Sequence, residues 1–128
     1  MKSILQQKYD NYYLVFMDDV SDDNTMNATR SYLRSVGFPQ SRVSYVQNLK
    51  RNFATYNIFN AAYNYCGADD IQVLLDGDDE IIGRYALQVI NSHYHLNPNA
   101  WVVYSNYKDN CFTFGRSDQV YQKGLYLT

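Results

Sequence analysis

The stretch "YYLVFMDDVSDDNT", residues 12–25, decides the fold class. Its first six residues form a continuous apolar and aromatic run, which is typical of a parallel strand covered on both faces. An acidic loop follows, and from Met26 to Val36 apolar residues recur at helical spacing until Gly37. The stretch therefore predicts a central strand, an acidic loop and a helix, in that order.

The same alternation of strand and helix continues along the chain. Residues 42–48 alternate like a short strand, and residues 53–66 carry one apolar helical face. We expect a third strand at 71–75, a helix at about 84–94 and a fourth strand at 100–107. This order predicts an α/β fold with a mostly parallel, Rossmann-like sheet and flanking helices, whose ligands bind at the carboxyl ends of the strands.

Length and composition exclude several classes of protein. The chain has 128 residues, of which 46% are hydrophobic, and a formal net charge of −2. We expect one domain over residues 1–128, and no nucleic-acid partner because basic residues form no patch. No segment has the apolar length of a membrane span or a signal peptide, so localisation stays open between the cytoplasm and the Golgi.

Acidic residues follow two of the predicted strands. Asp18 and Asp19 follow the first strand, and Asp76, Asp78 and Asp79 follow the third. Because parallel strands end at one edge of a sheet, these carboxylates would create a strongly negative site unless a cation is bound there. Mg²⁺ and Mn²⁺ bind carboxylate oxygen and complete their coordination with water and phosphate. The pattern predicts a site for a divalent metal and a nucleotide diphosphate.

Three motifs, taken together, resemble a known family. Their order and spacing are similar to those of the glycosyltransferases of family 2, which have the GT-A fold. The family pattern runs from S-x-x-x-Q-x-Y, through a strand, to V-D-D-x-S-x-D-x-T, and then to L-D-x-D-D. Here the three elements read as Ser3 with Gln7 and Tyr9, as "DDVSDDNT" at 18–25, and as "DGDD" at 76–79.

The resemblance covers part of the family's catalytic domain. It implies a partial GT-A domain in which about residues 1–108 bind the nucleotide sugar and residues 109–128 are irregular. Family members begin with a further apolar strand, and their general base lies beyond the position of Thr128. The resemblance therefore implies a fragment that is truncated at both ends and inactive alone.

The resemblance also implies a role for each matched residue. Asp19 would contact the nucleotide base, usually uracil, and Asp78 would face the ribose or the sugar. Asp79, with Asp78, would hold Mn²⁺ or Mg²⁺ on the diphosphate. The set expected to bind the nucleotide comprises Asp18, Asp19, Ser21, Asp76, Asp78 and Lys50, with Arg51 and Asn52 beside Lys50 as further candidates.

The implied reaction is sugar transfer with inversion by in-line displacement. Its donor would be a nucleotide-diphosphate sugar, most simply linked to UDP. Its acceptor, whether saccharide, lipid or protein, is not specified by the sequence, and neither is the donor sugar.

Two other functions use the same acids. A phosphoacceptor receiver-type signalling domain would bind Mg²⁺ through an acid pair and a later Asp, with a Lys such as Lys108 nearby. A phosphatase of the haloacid dehalogenase type would use Asp76 as nucleophile and Asp78 as general acid. The first leaves the helix-like residues 2–9 unexplained, and the second requires Thr or Val where this chain has Glu80.

Overall fold

A computed structural model of the protein describes residues 1–105 and the backbone of residues 107–108 and 114–115. The described residues form four α-helices, one short 3₁₀ helix and four strands. In chain order they are α1 (Lys2–Leu5), β1 (Leu14–Asp18), α2 (Thr25–Ser35), the 3₁₀ helix (Gln40–Arg42), β2 (Val43–Gln47), α3 (Phe53–Tyr65), α4 (Ala86–Leu96), β3 (Tyr107–Lys108) and β4 (Phe114–Gly115). None of the helices in this part of the chain is long and apolar enough to cross a membrane.

Strands β1 and β2 form a parallel pair joined through helix α2. The register places Leu14 opposite Val43 at one end and Asp18 opposite Gln47 at the other. A parallel connection requires a crossover, which α2 provides between the two strands. The parallel pair and its helices confirm the predicted α/β class and the first two predicted strands.

Helix α2 begins and ends where its sequence dictates. The Asp23 carboxylate accepts a hydrogen bond from the Thr25 backbone N–H at 2.9 Å, which satisfies one free donor of the first turn. At the other end Gly37 has a φ of 72°, and the Phe38 N–H donates to the Leu33 carbonyl at 2.9 Å. These are the features of a Schellman stop, which uses glycine because a Cβ disfavours that backbone conformation.

Arg42 holds the segment that leads into β1. Its Nε and Nη2 atoms donate to the Tyr12 carbonyl at 3.2 and 2.9 Å, and Nη2 also donates to the Asp10 carbonyl. The guanidinium lies over the Tyr12 ring at 4.8 Å and over the Phe38 ring at 5.8 Å. Arg42 therefore connects the start of β1 to the end of α2 and the start of β2.

The third and fourth predicted strands are wrong within the described residues. Residues 71–75 pair with no strand, and residues 100–105 also lie outside any strand. A strand exists only when a neighbour satisfies its backbone groups, and an apolar run does not identify that neighbour. Residues 107–108 instead pair antiparallel with residues 114–115, so the parallel part of the described sheet is the β1–β2 pair.

The chain divides into two compact units by its contacts. One unit runs from Asp10 to Asp79 and contains the β1–β2 pair with α2 and α3. The other consists of Met1–Tyr9 and the residues from Glu80 on. The assignment of residues 1–128 to a single partial domain stays a prediction.

Gln7 ties helix α1 to helix α4 within the second of these units. Its Nε2 atom donates to the carbonyls of Ser3 and Gly83 at 3.0 and 2.7 Å. Its Oε1 atom accepts the Leu87 N–H of the first turn of α4 at 3.2 Å. The side chain is 7% exposed. Because water does not reach the buried carboxamide, these bonds provide the partners that its polar atoms need. Gln7 of the first sequence motif therefore has a structural role, because it links α1 to α4.

We predict that Gln7→Ala lowers the free energy of unfolding by roughly 2–3 kcal/mol, because it leaves buried backbone groups without partners. Urea denaturation measures the change. Gln6→Ala is the matched control, since Gln6 is the exposed neighbour in sequence, and its unfolding curve should overlay the wild type. Equal stability of the two variants would contradict the structural role of Gln7.

Candidate functional site

Asp18 is the last residue of β1 and shapes the loop that follows. It is 4% exposed, and its Oδ1 atom accepts the Ser21 backbone N–H at 3.2 Å. This bond closes the turn after the strand, and the assignment of Asp18 to nucleotide binding stays a prediction. The backbone of Ser21 is used in the turn, and its side chain is exposed.

The Asp19 carboxylate lies at the N-terminus of helix α3. Its Oδ1 atom accepts the Asn52 backbone N–H at 2.8 Å, and its Oδ2 atom accepts the Phe53 N–H at 2.9 Å. Helix N-termini leave such N–H groups without partners and favour negative charge. Asp19 therefore joins the end of β1 to the start of α3.

Two asparagines extend the contacts of Asp19. Asn48 Nδ2 donates to Asp19 Oδ1 at 2.7 Å and to Asn57 Oδ1 at 2.8 Å. The Asn48 backbone N–H also donates to the Asp18 carbonyl at 2.9 Å, which continues the pairing beyond β2. We call Asp19, Asn48 and Asn57 the amide network. All three side chains are half-buried.

These hydrogen bonds keep Asp19 ionised. Hydrogen bonds, the largest from the Asn52 N–H and the others from Asn48, the Phe53 N–H and Asn57, together outweigh desolvation and lower the pKa of Asp19 to about 2. Donors to the charged form of a carboxyl stabilise it relative to the protonated form. Asp19 is therefore a hydrogen-bond acceptor throughout the physiological pH range.

The backbone beside Asp19 is strained at two positions. Among the described residues, Val20 and Phe53 are the two non-glycine residues with positive φ, at 66° and 64°. Left-handed backbone costs roughly 1–2 kcal/mol for a residue with a Cβ, and a β-branched residue such as Val is a clear outlier there. Val20 follows Asp19 in sequence and Phe53 donates to its carboxylate. Strain of this kind concentrates at functional sites.

The second acidic motif forms an exposed turn, which we call the acidic turn, at residues 76–79. The Asp79 N–H donates to the Asp76 carbonyl at 3.1 Å, and the side chains of Asp76, Asp78 and Asp79 are exposed. A Cβ placed on Gly77 would meet no atom within 4 Å. The acidic turn therefore offers three carboxylates and an open stretch of backbone.

The acidic turn has the donor chemistry that a hard divalent ion needs. No group of three or more His, Cys, Asp or Glu side chains in residues 1–105 is arranged to hold a metal. Mg²⁺ does not require such a cage, because it usually binds one or two protein carboxylates and takes its other ligands from water and phosphate. Asp78 and Asp79 fit that mode, and their assignment as metal ligands stays a prediction.

The loop between β2 and α3 contains both predicted and unpredicted site residues. Lys50 and Arg51 are exposed. Of the three candidates in this loop, Asn52 is the one seen to contact Asp19, through its backbone N–H. Sequence reasoning missed Asn48 and Asn57. Each is a polar residue, one just after a strand and the other early in the next helix, and that was the only sign of them in the sequence. In a chain rich in Asn, two such residues do not stand out.

Comparison with known proteins gives one match. The sequence model of the family described as Glycosyl transferase family 2 matches residues 1–126. No curated protein and no solved structure matches the chain. The family match spans both the loop at Asp18 and Asp19 and the acidic turn.

We predict a specific pH dependence for the contribution of Asp19 to stability. Its pKa of about 2 lies below the ordinary value of about 3.9 for an unfolded chain, so ionised Asp19 stabilises the fold above about pH 4. That contribution is lost as pH falls from about 4 through 2. Urea unfolding of the wild type and of Asp19→Asn should differ most above pH 4 and converge toward pH 2. A difference that is independent of pH would contradict the assignment.

Proposed function

Because the chain belongs to glycosyl transferase family 2, we propose that it binds a nucleotide-diphosphate sugar, with UDP as the nucleotide. The parallel strand pair with flanking helices is that of a partial α/β domain of the GT-A fold. We assign donor binding to about residues 1–108. The reaction in which the site participates is transfer of the sugar to an acceptor with inversion.

The ionised Asp19 carboxylate is the observation that carries this proposal. Uracil presents one N–H group, N3–H, between two carbonyl groups. A carboxylate has about four acceptor positions, and three of those on Asp19 are occupied by Asn48, Asn52 and Phe53. Among the hydrogen bonds of the described residues, Oδ2 accepts the Phe53 N–H alone, so it has a position for the single N–H donor of uracil.

The acidic turn supports binding of the diphosphate. Asp79, with Asp78, would hold Mn²⁺ or Mg²⁺, and the metal when bound would neutralise the charge of the departing diphosphate. Asp78 would also face the ribose or the sugar, with Asp76 preceding it. The open backbone at Gly77 leaves room for a phosphate or sugar oxygen to approach. Ser21 and the exposed Lys50 complete the proposed set of nucleotide-binding residues.

The transfer itself is an in-line displacement. The acceptor hydroxyl oxygen forms a bond to the anomeric carbon on the face opposite the diphosphate. The bond from that carbon to the diphosphate oxygen breaks, the electron pair leaves with the diphosphate, and a general base takes the hydroxyl proton. No acid of residues 1–128 matches the family's base motif, so we assign no catalytic base and expect donor binding by this chain without turnover.

The family match favours this proposal over the two alternatives that use the same acids. A receiver domain or a phosphatase requires Asp76 at the end of a strand as phosphoacceptor or nucleophile. In the described structure Asp76 begins an exposed turn and follows residues that pair with no strand. This departs equally from the strand end that the family motif leads us to expect, so the family match alone favours the glycosyltransferase.

We predict that UDP binds the 128-residue chain in the presence of Mn²⁺ and that Asp79→Asn weakens this binding at least about tenfold. Changes in the surroundings of metal ligands already reduce affinity by roughly 10–100-fold, so loss of a ligand should cost no less. Isothermal titration calorimetry with and without Mn²⁺ measures the effect.

Asp69→Asn is the matched control for this titration. Asp69 is an exposed acid in the same unit as the acidic turn and lies outside both motifs. Its affinity should equal that of the wild type. UDP binding that is the same without Mn²⁺ and in Asp79→Asn would contradict the metal assignment. Absence of UDP binding to the folded wild type would contradict the nucleotide assignment.

A further inference from the structure

The amide network includes two residues, Asn48 and Asn57, to which the family resemblance assigns no role. We propose that Asn48 and Asn57 are positioning residues that hold the Asp19 carboxylate in one orientation, with an acceptor position of Oδ2 free for the nucleotide base. This inference rests on the proposed function, because it assigns the ligand of Asp19 to the nucleotide. It adds two residues to the site that act through Asp19.

The direction of each bond in the network follows from the chemistry of Asp19. An ionised carboxylate only accepts hydrogen bonds, so Asn48 must turn its NH₂ group toward Oδ1. The second N–H of that group then donates to Asn57 Oδ1 at 2.8 Å. Two bonds fix the plane of the Asn48 carboxamide, and Asn57 must present oxygen. The orientation of three side chains is therefore set by one charge.

The two oxygens of Asp19 are not equivalent in this arrangement. Among the described residues, Oδ1 receives two donors, from Asn48 and Asn52, whereas Oδ2 receives one, from Phe53. The Asn52 and Phe53 N–H groups bind one oxygen each, and the Asn48 donor makes Oδ1 the more fully occupied of the two. Without Asn48 each oxygen would keep one backbone donor, and the two would be equivalent acceptors. Asn48 therefore occupies an acceptor position of Oδ1 and leaves Oδ2 as the oxygen with an open position.

Asn57 contacts Asn48 and also contributes to the lowered pKa of Asp19. It lies in the second turn of α3, where Ala would favour the helix more. Its Oδ1 atom accepts from Asn48 across nine positions of sequence. The strained residues Val20 and Phe53 flank the same carboxylate, and strained backbone persists only where surrounding contacts determine it strongly. The amide network supplies such contacts.

The test compares three variants of the full chain. Asn48→Ala removes the donor to Asp19, and Asn57→Ala removes the acceptor that orients Asn48. Asn64→Ala is the matched control, because Asn64 is an exposed Asn of α3 that bonds to Asn60 and has no contact with Asp19. Circular dichroism establishes that each variant is folded, and two independent variants keep the test decisive if one is not.

Two readouts separate positioning from general stability. Carbon-13 NMR of the Asp19 carboxyl, in the protein without ligand, follows its pKa from the wild-type value of about 2. Calorimetry with UDP and Mn²⁺ gives the affinity. We expect Asn48→Ala and Asn57→Ala to raise the Asp19 pKa toward its ordinary range. We also expect them to weaken UDP binding about tenfold, because a displaced Asp19 carboxylate loses its charge-assisted hydrogen bond to the base. Asn64→Ala should change neither value.

Three results would overturn the inference. The first is an Asp19 pKa that stays at the wild-type value in folded Asn48→Ala and Asn57→Ala, which would show that the network does not hold the carboxylate. The second is a raised pKa with unchanged UDP affinity, which would make the network structural only. The third is a wild type that shows the depressed pKa but binds no UDP, which would overturn the proposed function and leave Asp19 as a helix cap.

Discussion

The Asp19 carboxylate at the N-terminus of α3 is the interaction on which the rest of the site depends. A helix N-terminus presents N–H groups that need acceptors, and Asp19 satisfies two of them through Asn52 and Phe53. The same carboxylate follows directly after β1, so one charge fixes the distance between a strand end and the start of a helix. Asp19 is in this way a structural element, and hydrogen bonds within the protein hold its orientation.

Local features of the sequence allowed much of the fold to be predicted. The apolar run of β1, the alternation of β2 and the glycine stop of α2 all act within a few residues, and the structure confirms each. The expected strand at 71–75 failed because pairing is a property of two segments. The site residues divide in the same way, into those that local sequence predicts and those that depend on contacts between distant segments. Asp19 could be found from its motif, whereas Asn48 and Asn57 matter only because a strand end and a helical turn meet in space.

The motifs that resemble the family combine structural and binding roles. Gln7, from the first motif, is buried and connects α1 with the Gly83 turn and the start of α4. Asp18 closes the loop after β1, while Asp78 and Asp79 are exposed and available to a ligand. Burial and the direction of hydrogen bonds distinguish these roles, which sequence alone does not. The same criteria separate Asp19, which is held by hydrogen bonds, from the exposed carboxylates of the acidic turn, which we propose as cation ligands.

We propose that Oδ2 of Asp19 receives the base of a uridine nucleotide. Nitrogen-15 NMR of the chain, titrated with UDP and Mg²⁺ beside CDP and Mg²⁺, tests it most directly. CDP has the same ribose and diphosphate but no N3–H. We expect UDP to shift the backbone amide signals of Asn52 and Phe53 and the side-chain amide signal of Asn48, and CDP to shift them much less. Equal shifts with both nucleotides, or UDP binding that leaves these three signals in place, would contradict it.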